Sequence, residues 1–148
     1  MGRKFTEEDA KRYLMSLSEF AEENHKRLVQ IMELRAVAES CTVRTDKENI
    51  QTSAAGDKMS NIVGRIVDIE REIYKTNKII EHRRAEFEEI TKNMSHDRHR
   101  EYLTVRYYDG NGFYDTAMIM DMRDSAVKKI HRKSIAEFTK IYNDKHNI

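Results

Sequence analysis

The stretch from Tyr107 to Asp115, YYDGNGFYD, contains three Asp or Asn side chains and two glycines, residue types that also build EF-hand calcium loops. With Gly112 at the glycine position of such a loop, Tyr107 falls at the first ligand position and Met118 at the bidentate closing position. Neither side chain is the carboxylate that calcium requires there. We therefore expect a turn, in which glycine permits a positive φ and Asn or Asp caps the backbone.

The histidines next to this stretch raise the same question. His96, Asp97 and His99 are close enough in sequence to share a metal ion. Histidines three residues apart near a helix start are more commonly surface or capping residues, so we expect no metal and no cofactor. Serines, acids and six histidines make a hydrolytic triad conceivable, but the chain has no nucleophile elbow, P-loop or Gly-x-Gly-x-x-Gly motif. We do not expect an enzyme.

Positive charge is concentrated near the C-terminus. The net charge is only +1, yet the segment from Arg123 to Lys133 has five basic residues and the single acid Asp124. Arg and Lys side chains can bind phosphates or guanine edges in the major groove, and Ser can bind either. The candidate DNA-binding residues are Arg123, Ser125, Lys128, Lys129, Arg132 and Lys133. The competing interpretation is a solvated basic helix face.

These residues fall on the second helix of a helix-turn-helix pattern that starts at Phe113. Apolar or small residues occupy five packing positions of that pattern, namely Ala117, Met120, Met122, Val127 and Ile130. Two residues depart from it: Asp121 stands where glycine is usual in the turn, and Thr116 stands where an aliphatic residue is usual. Asp tolerates the left-handed conformation better than most residues, so the turn is still expected.

The elements that would position these residues are all expected to be helices. Proline is absent, 36% of the residues are charged and 39% are hydrophobic, which favours long solvated helices. Residues 7–39 form the first predicted helix, with Thr6 as its N-cap. Its apolar stripe, which Asn24 and Arg35 interrupt, contains Leu14, Leu17, Ala21, Leu28, Ile31 and Ala38.

The second predicted helix spans 58–94 and has the most regular pattern in the chain. Eleven positions from Met59 to Met94 alternate steps of three and four, and nine of them are apolar. Such a helix would be about 54 Å long at 1.5 Å per residue. The polar connector 40–57 separates it from the first helix, and an antiparallel hairpin is the simplest way to bury both stripes, with self-association as the alternative.

Three shorter helices are predicted at about 98–108, 114–120 and 124–142. The predicted fold is all-α: a long, coiled-coil-like antiparallel helical hairpin in residues 1–94, followed by a small helix-turn-helix domain in residues 95–148. Cys41 is the only cysteine, the charged start has no apolar run, and no segment approaches the length of a membrane span. We therefore expect a cytoplasmic protein without a signal peptide.

The tail YLTVRYYDGNGFYDTAMIMDMRDSAVKKIHRKSIAEF resembles region 4 of sigma-70 factors. The residues that carry this resemblance are Leu103, Arg106, Tyr107, Gly110, Ala117, Val127, Ile130, His131 and Arg132. The whole chain resembles the small phage and prophage regulators of the ArpU and RinA type, through YLMSLSEF, ELRAVAES and NIQTSAAGDKMSNIVGRIVDIEREI as well as the tail. The resemblance implies control of late phage genes in a bacterial host cell.

The expected function is sequence-specific binding of double-stranded DNA to regulate transcription. Host RNA polymerase and a second copy of the chain are further candidate partners, and no membrane partner is expected. Two alternatives stay open. One is a DNA-packaging protein like the small terminase subunits, which also combine a helix-turn-helix with oligomerising helices; the other is a helical adaptor that does not bind DNA.

Overall fold

The computed structural model describes the backbone of residues 3–47 and 52–148, and the side chains of residues 3–41 and 56–148. Throughout this part of the chain the regular elements are helices, which confirms the all-α fold. In chain order they are α1 (Glu7–Lys47), α2 (Thr52–Lys92), α3 (Asp97–Leu103), α4 (Phe113–Ile119) and α5 (Asp124–Lys145). A π-helical turn, Thr104–Tyr108, continues α3.

Helix α1 begins where its capping residues predict. The Thr6 hydroxyl accepts a hydrogen bond from the Asp9 backbone N–H at 3.1 Å, and the Asp9 carboxylate accepts one from the Thr6 N–H at 3.0 Å. This reciprocal pair satisfies two donors that the helix itself cannot pair. The acids of the first turn also complement the positive end of the helix dipole.

Both long helices extend further into the predicted connector 40–57 than expected. Helix α1 continues to Lys47 instead of ending near residue 39, and α2 begins at Thr52 instead of residue 58. The prediction relied on the loss of apolar periodicity, but Ser, Thr, Asp and Asn each cost a helix only a fraction of a kcal/mol. Without proline, nothing in the sequence forces either helix to end there. Residues 48–51 of the predicted connector lie outside the described residues.

The chain forms two compact units. The first unit comprises residues 1–20 and 80–148, and the second unit comprises residues 21–79. The boundary predicted at residue 94 therefore lies inside the first unit, because the beginning of α1 and the end of α2 share a hydrophobic core with α3, α4 and α5. Whether residues 1–94 fold without the tail stays a prediction.

The second unit is an antiparallel pair of helices. Asn24 of α1 donates a hydrogen bond to Asn77 of α2 at 2.9 Å, and Arg27 donates one to Thr76 at 2.8 Å. Further along, Arg35 lies 3.7 Å from Glu70. As residue numbers increase along α1, the numbers of the α2 residues that they contact decrease. The two helices of the hairpin therefore run in opposite directions, as predicted.

The regular stripe of α2 is buried as predicted. Each of its eleven positions is buried or half-buried, and the fully buried ones are Ile62, Thr76, Phe87, Ile90 and Met94. Such continuous burial requires a packing partner along the helix, which the beginning of α1 provides in the first unit and residues 21–41 provide in the second. The stripe is therefore part of an intrachain interface.

The pattern predicted for α1 is wrong at three positions. Ala21 is exposed, Leu28 is 51% exposed, and Asn24 is buried although it was expected to interrupt the stripe. Asn24 can occupy the interface because its amide donates to the Ile73 carbonyl as well as to Asn77, so burial leaves it hydrogen-bonded. A prediction from apolar residues alone therefore placed the buried face of α1 incorrectly.

The core of the first unit combines aliphatic side chains with aromatic rings and comes from both ends of the chain. Phe138 of α5 lies 6.1 Å from Phe87 of α2 and 6.0 Å from Tyr13 of α1, measured between ring centroids. Phe5 stacks on Tyr142 with a centroid distance of 3.9 Å. These contacts hold α5 against the ends of both long helices, which fixes the helix that carries the basic residues.

Candidate nucleic-acid interface

Helices α4 and α5 are joined by a tight turn whose packing agrees with the helix-turn-helix pattern. Four of the five predicted packing residues are buried and Met122 is half-buried; the buried ones are Ala117, Met120, Val127 and Ile130. Asp121 has a φ of 52°, the left-handed conformation expected of the residue that replaces glycine. The Met122 N–H donates to the Ala117 carbonyl at 2.9 Å, which closes α4.

The second departure from the pattern, Thr116, is accommodated by a local hydrogen bond. This side chain is completely buried, and its hydroxyl donates to the Gly112 carbonyl at 2.8 Å. A buried hydroxyl is costly only when it has no partner. Threonine therefore fills the site where an aliphatic residue is usual without leaving a polar group unpaired.

The YYDGNGFYD stretch is a link between helices, as predicted. Gly110 has a φ of 79°, which a side chain would strain. The Asn111 amide donates to the Val105 carbonyl at 2.9 Å, and Arg106 donates to the Asn111 carbonyl at 2.9 Å. These bonds tie the start of α4 to the helical turn before it and so set the direction in which α4 leaves.

His131 of α5 is half-buried and contacts α3. Its Nδ1 atom lies 2.6 Å from the Tyr102 hydroxyl. Burial, with the nearby charges of Lys11 and Arg106, lowers the pKa of His131, while burial raises the pKa of Tyr102. At neutral pH we therefore expect the Tyr102 hydroxyl to donate to an uncharged imidazole. This bond anchors the middle of α5 to α3.

The six predicted site residues all lie on the exposed side of the first half of α5 or just before it. Arg123 precedes the helix, and the others occupy its first three turns. All are exposed, and none makes an ion pair or a side-chain hydrogen bond with residues whose side chains are described. At about 100° per residue, Ser125, Lys128, Lys129 and Arg132 share one face, opposite buried Val127 and Ile130.

The far end of α5 has the opposite character. Lys145 lies 3.1 Å from the Glu86 carboxylate and 3.0 Å from that of Glu89, and His146 lies 3.2 Å from Glu86. Tyr13 also donates to Glu86 at 2.6 Å. Lys145 and His146 are thus engaged with acids of the protein, whereas the basic residues at the beginning of the helix are available to an external anion.

Sequence reasoning missed two contributors to this region. Lys140 is exposed and extends the basic face by two turns. It was not predicted because it lies outside the charged segment from Arg123 to Lys133. Arg98 of α3 donates to the Met120 carbonyl at 2.7 Å, which holds the turn between α4 and α5. Its role depends on a contact 22 residues away, and no local pattern predicts such a contact.

Among the described residues, no helix combines the length and apolar content needed to cross a membrane. Comparisons of the chain with protein-family models, curated proteins and solved structures find no match.

Proposed function

We propose that the chain binds double-stranded DNA through α4, α5 and the turn between them, with the first half of α5 in the major groove. The observation that carries this proposal is the unpaired, exposed basic face of α5, on the second helix of a pair joined through left-handed Asp121. The major groove, about 12 Å wide, admits an α-helix. Because α5 packs against the core of the first unit, the helix is ordered before DNA binds. Binding would therefore lose less conformational entropy than binding by a disordered segment.

Within this interface, the two ends of the basic face have different roles. Arg123 and Ser125 lie at the start of α5, the part of a recognition helix that reaches base edges. Lys128, Lys129 and Arg132 follow along the same face and divide their contacts between bases and phosphates. Lys133 lies at the edge of that face, where a phosphate is the natural partner.

We further propose that DNA binding serves transcriptional regulation, with late phage or prophage genes as the targets. This step rests on the resemblance of the tail to sigma-70 region 4 and of the whole chain to regulators of the ArpU and RinA type. Host RNA polymerase and a second copy of the chain are the partners that such a role implies. The bacterial cytoplasm is the corresponding location.

The first test compares two variants with equal loss of charge. One replaces Lys128, Lys129 and Arg132 with Gln, and the control replaces Lys26, Arg71 and Lys75, exposed cations of the second unit, in the same way. Fluorescence anisotropy with labelled duplex at two salt concentrations should show weaker binding to every duplex for the first variant only. Its salt slope should fall by about one unit for each phosphate that the variant no longer binds.

If the variant that lacks the charges of Lys128, Lys129 and Arg132 binds duplex with full affinity, the basic face of α5 is only a solvated helix face. Equal losses of duplex affinity in both variants would indicate non-specific attraction between DNA and the positive charges of the protein. Circular dichroism of each variant separates loss of binding from loss of folding. The adaptor without DNA binding is the correct alternative if the wild-type chain also fails to bind any duplex.

The second test addresses sequence specificity. Selection from a random duplex pool should yield a preferred site, and Arg123→Gln should weaken binding to that site by about 1–3 kcal/mol with little effect on other duplexes. Uniform weakening on all duplexes would assign Arg123 to a phosphate. Light scattering then tests the packaging alternative, because small terminase subunits form rings of many copies.

A further inference from the structure

Three side chains with metal-binding atoms meet where α3 begins and α5 passes beside it. His99 Nδ1 lies 2.9 Å from Glu137 Oε2, and His96 Nδ1 lies 3.8 Å from the same oxygen. The two imidazole rings are 4.7 Å apart between centroids. One ligand atom of each side chain lies within 4.8 Å of the other two.

The Glu137 carboxylate is held in position by its other oxygen. Oε1 accepts a hydrogen bond from the Ser95 backbone N–H at 2.6 Å and another from the Ser95 hydroxyl at 2.9 Å. With Oε1 occupied, Oε2 is directed at the two histidines. Hydrogen bonds that orient a ligating carboxylate in this way are typical of the groups that surround metal ligands.

The cluster is shielded on one side and open on the other. The side chains of His99 and Glu137 are 14% and 18% exposed, whereas that of His96 is 67% exposed. A surface cavity that also borders Ser95 and Ala136 adjoins all three residues. An ion can therefore enter from solvent and meet two partly buried ligands, with His96 closing over it.

We propose that His96, His99 and Glu137 form a binding site for a zinc-class transition-metal ion that links α3 to α5. Two imidazoles and a carboxylate suit Zn²⁺, and three protein ligands leave the fourth position to solvent. Ligand atoms around tetrahedral zinc are about 3.3 Å apart, given bonds of about 2.0–2.1 Å. The separations of the two histidine Nδ1 atoms from Glu137 Oε2, 2.9 and 3.8 Å, lie on either side of that value.

The surroundings limit the affinity of this site. Lys133 and Lys140 border the same cavity, and their charges oppose a cation, while Asp144 at its rim favours one. Binding must also displace the direct hydrogen bond between His99 and Glu137 and the one between His96 Nδ1 and the Ser95 hydroxyl, which are 3.0 Å apart. We therefore expect reversible binding that depends on free metal concentration.

The sequence brings His96, Asp97 and His99 close enough to share a metal ion, but their position near a helix start predicts surface or capping residues and no metal. The structure replaces one member of that set: the Asp97 side chain is 96% exposed and lies 3.3 Å from Arg100, whereas Glu137, 38 residues beyond His99, supplies the carboxylate. Two ligands from the beginning of α3 and one from α5 give the ion a structural role. Metal binding would stabilise the first unit, with or without DNA binding by α5.

The test uses the full-length chain after chelation. Calorimetric titration with Zn²⁺ should show one binding event, and saturating Zn²⁺ should raise the Tm by about 4 °C or more, while Mg²⁺ has no effect. His96→Ala should weaken zinc binding at least about tenfold. This variant keeps the hydrogen bond between His99 and Glu137, which continues to support its folding.

Two controls match the variants in residue type. His82→Ala removes an exposed histidine of α2, and Glu101→Gln removes an exposed acid of α3; both should bind zinc as the wild type does. Glu137→Gln, checked for folding by circular dichroism, should lose the Tm shift. The proposal is overturned if zinc does not raise the wild-type Tm, if His96→Ala binds zinc with wild-type affinity, or if His82→Ala removes the effect.

Discussion

The two compact units bury their interfaces in different ways. In the first unit, helices from both ends of the chain enclose a hydrophobic core, in which Tyr102, Phe87 and Phe138 are almost completely buried. In the second unit only two helices meet, and Asn24, Arg27 and Thr76 form hydrogen bonds at their interface. Several layers of apolar contact hold the first unit, whereas a single interface with polar residues holds the second.

This difference fits the DNA-binding role proposed for the first unit. The helix that we propose reads DNA must keep its direction, and a core that contacts α5 from several sides provides that rigidity. A pair of helices in contact along one interface can slip by a turn, and a buried polar contact opposes slipping because a shifted register would leave it unpaired. We therefore expect the polar residues of the second unit to specify register more than stability.

The largest effect is expected from removal of the tail. In a fragment of residues 1–94, Phe87 and Ile90 are without the partners that bury them in the first unit. We expect amide hydrogen exchange to show less protection at 1–20 and 80–94 than in the full chain, while residues 21–79 keep more of theirs. Equal protection along the whole fragment would support the predicted boundary at residue 94 and contradict the dependence of these ends on the tail.

Within the intact chain, Phe138→Ala should be the most damaging substitution of those considered. Phe138 is fully buried between Phe87 and Tyr13, so its truncation leaves a cavity and should cost about 3–5 kcal/mol in the free energy of unfolding. Urea denaturation measures the change. Leu28→Ala, at an exposed apolar residue of the second unit, is the control and should change stability by less than about 0.5 kcal/mol.

An intermediate, pH-dependent effect is expected at Glu86. Burial acts to raise the pKa of this carboxyl, but hydrogen bonds from Tyr13 and Lys145 and the adjacent charges outweigh it, so its pKa in the folded state lies below the ordinary 4.5. A carboxyl with a lowered folded pKa stabilises the protein above its unfolded pKa, and this contribution is lost as pH falls through the folded value. Glu86→Gln should therefore cost about 1–3 kcal/mol at pH 7.

The difference between wild type and Glu86→Gln should shrink as the pH is lowered from 7 through 4.5 and below. Denaturation at several pH values measures it, and Glu88→Gln is the control, since that acid is exposed and its carboxylate accepts a hydrogen bond from Tyr108 at the surface. A difference that stayed constant down to low pH would mean that Glu86 contributes through packing and not through its charge.

The parts of the structure that follow from short-range rules could be predicted from sequence. The stripe from Met59 to Met94 required a partner helix, Thr6 and Asp9 marked a helix start, and Asp121 suited a left-handed turn. Each of these depends on residues a few positions apart, where backbone geometry fixes the neighbours. The same rules placed the exposed basic residues opposite Val127 and Ile130.

The remaining features depend on residues that are distant in sequence. Asn24 could be placed in the interface only with knowledge of Asn77, and the cluster with His99 only with knowledge of Glu137. The extension of α1 to Lys47 was missed for another reason. A polar helix has no apolar stripe to reveal it, although its backbone can remain helical at small cost.

The smallest effect is expected from Asn24→Leu, which tests whether the polar interface of the second unit specifies register. The substitution removes the hydrogen bonds that Asn24 makes with the Ile73 carbonyl, Asn77 and Arg27. Asn77 is exposed and can turn to water, while Arg27 keeps its bond to Thr76. Leucine also adds apolar contact, so we expect the free energy of unfolding to change by less than about 1 kcal/mol.

The consequence of Asn24→Leu should appear in specificity instead. With a more apolar interface, other registers and intermolecular pairing become less unfavourable, so light scattering should detect more self-association than in the wild type. Asn61→Leu, at an exposed position of α2, adds the same surface without changing the interface and is the control. A stability loss close to that of Phe138→Ala, without any gain in self-association, would mean that Asn24 stabilises the helix pair and does not select its register.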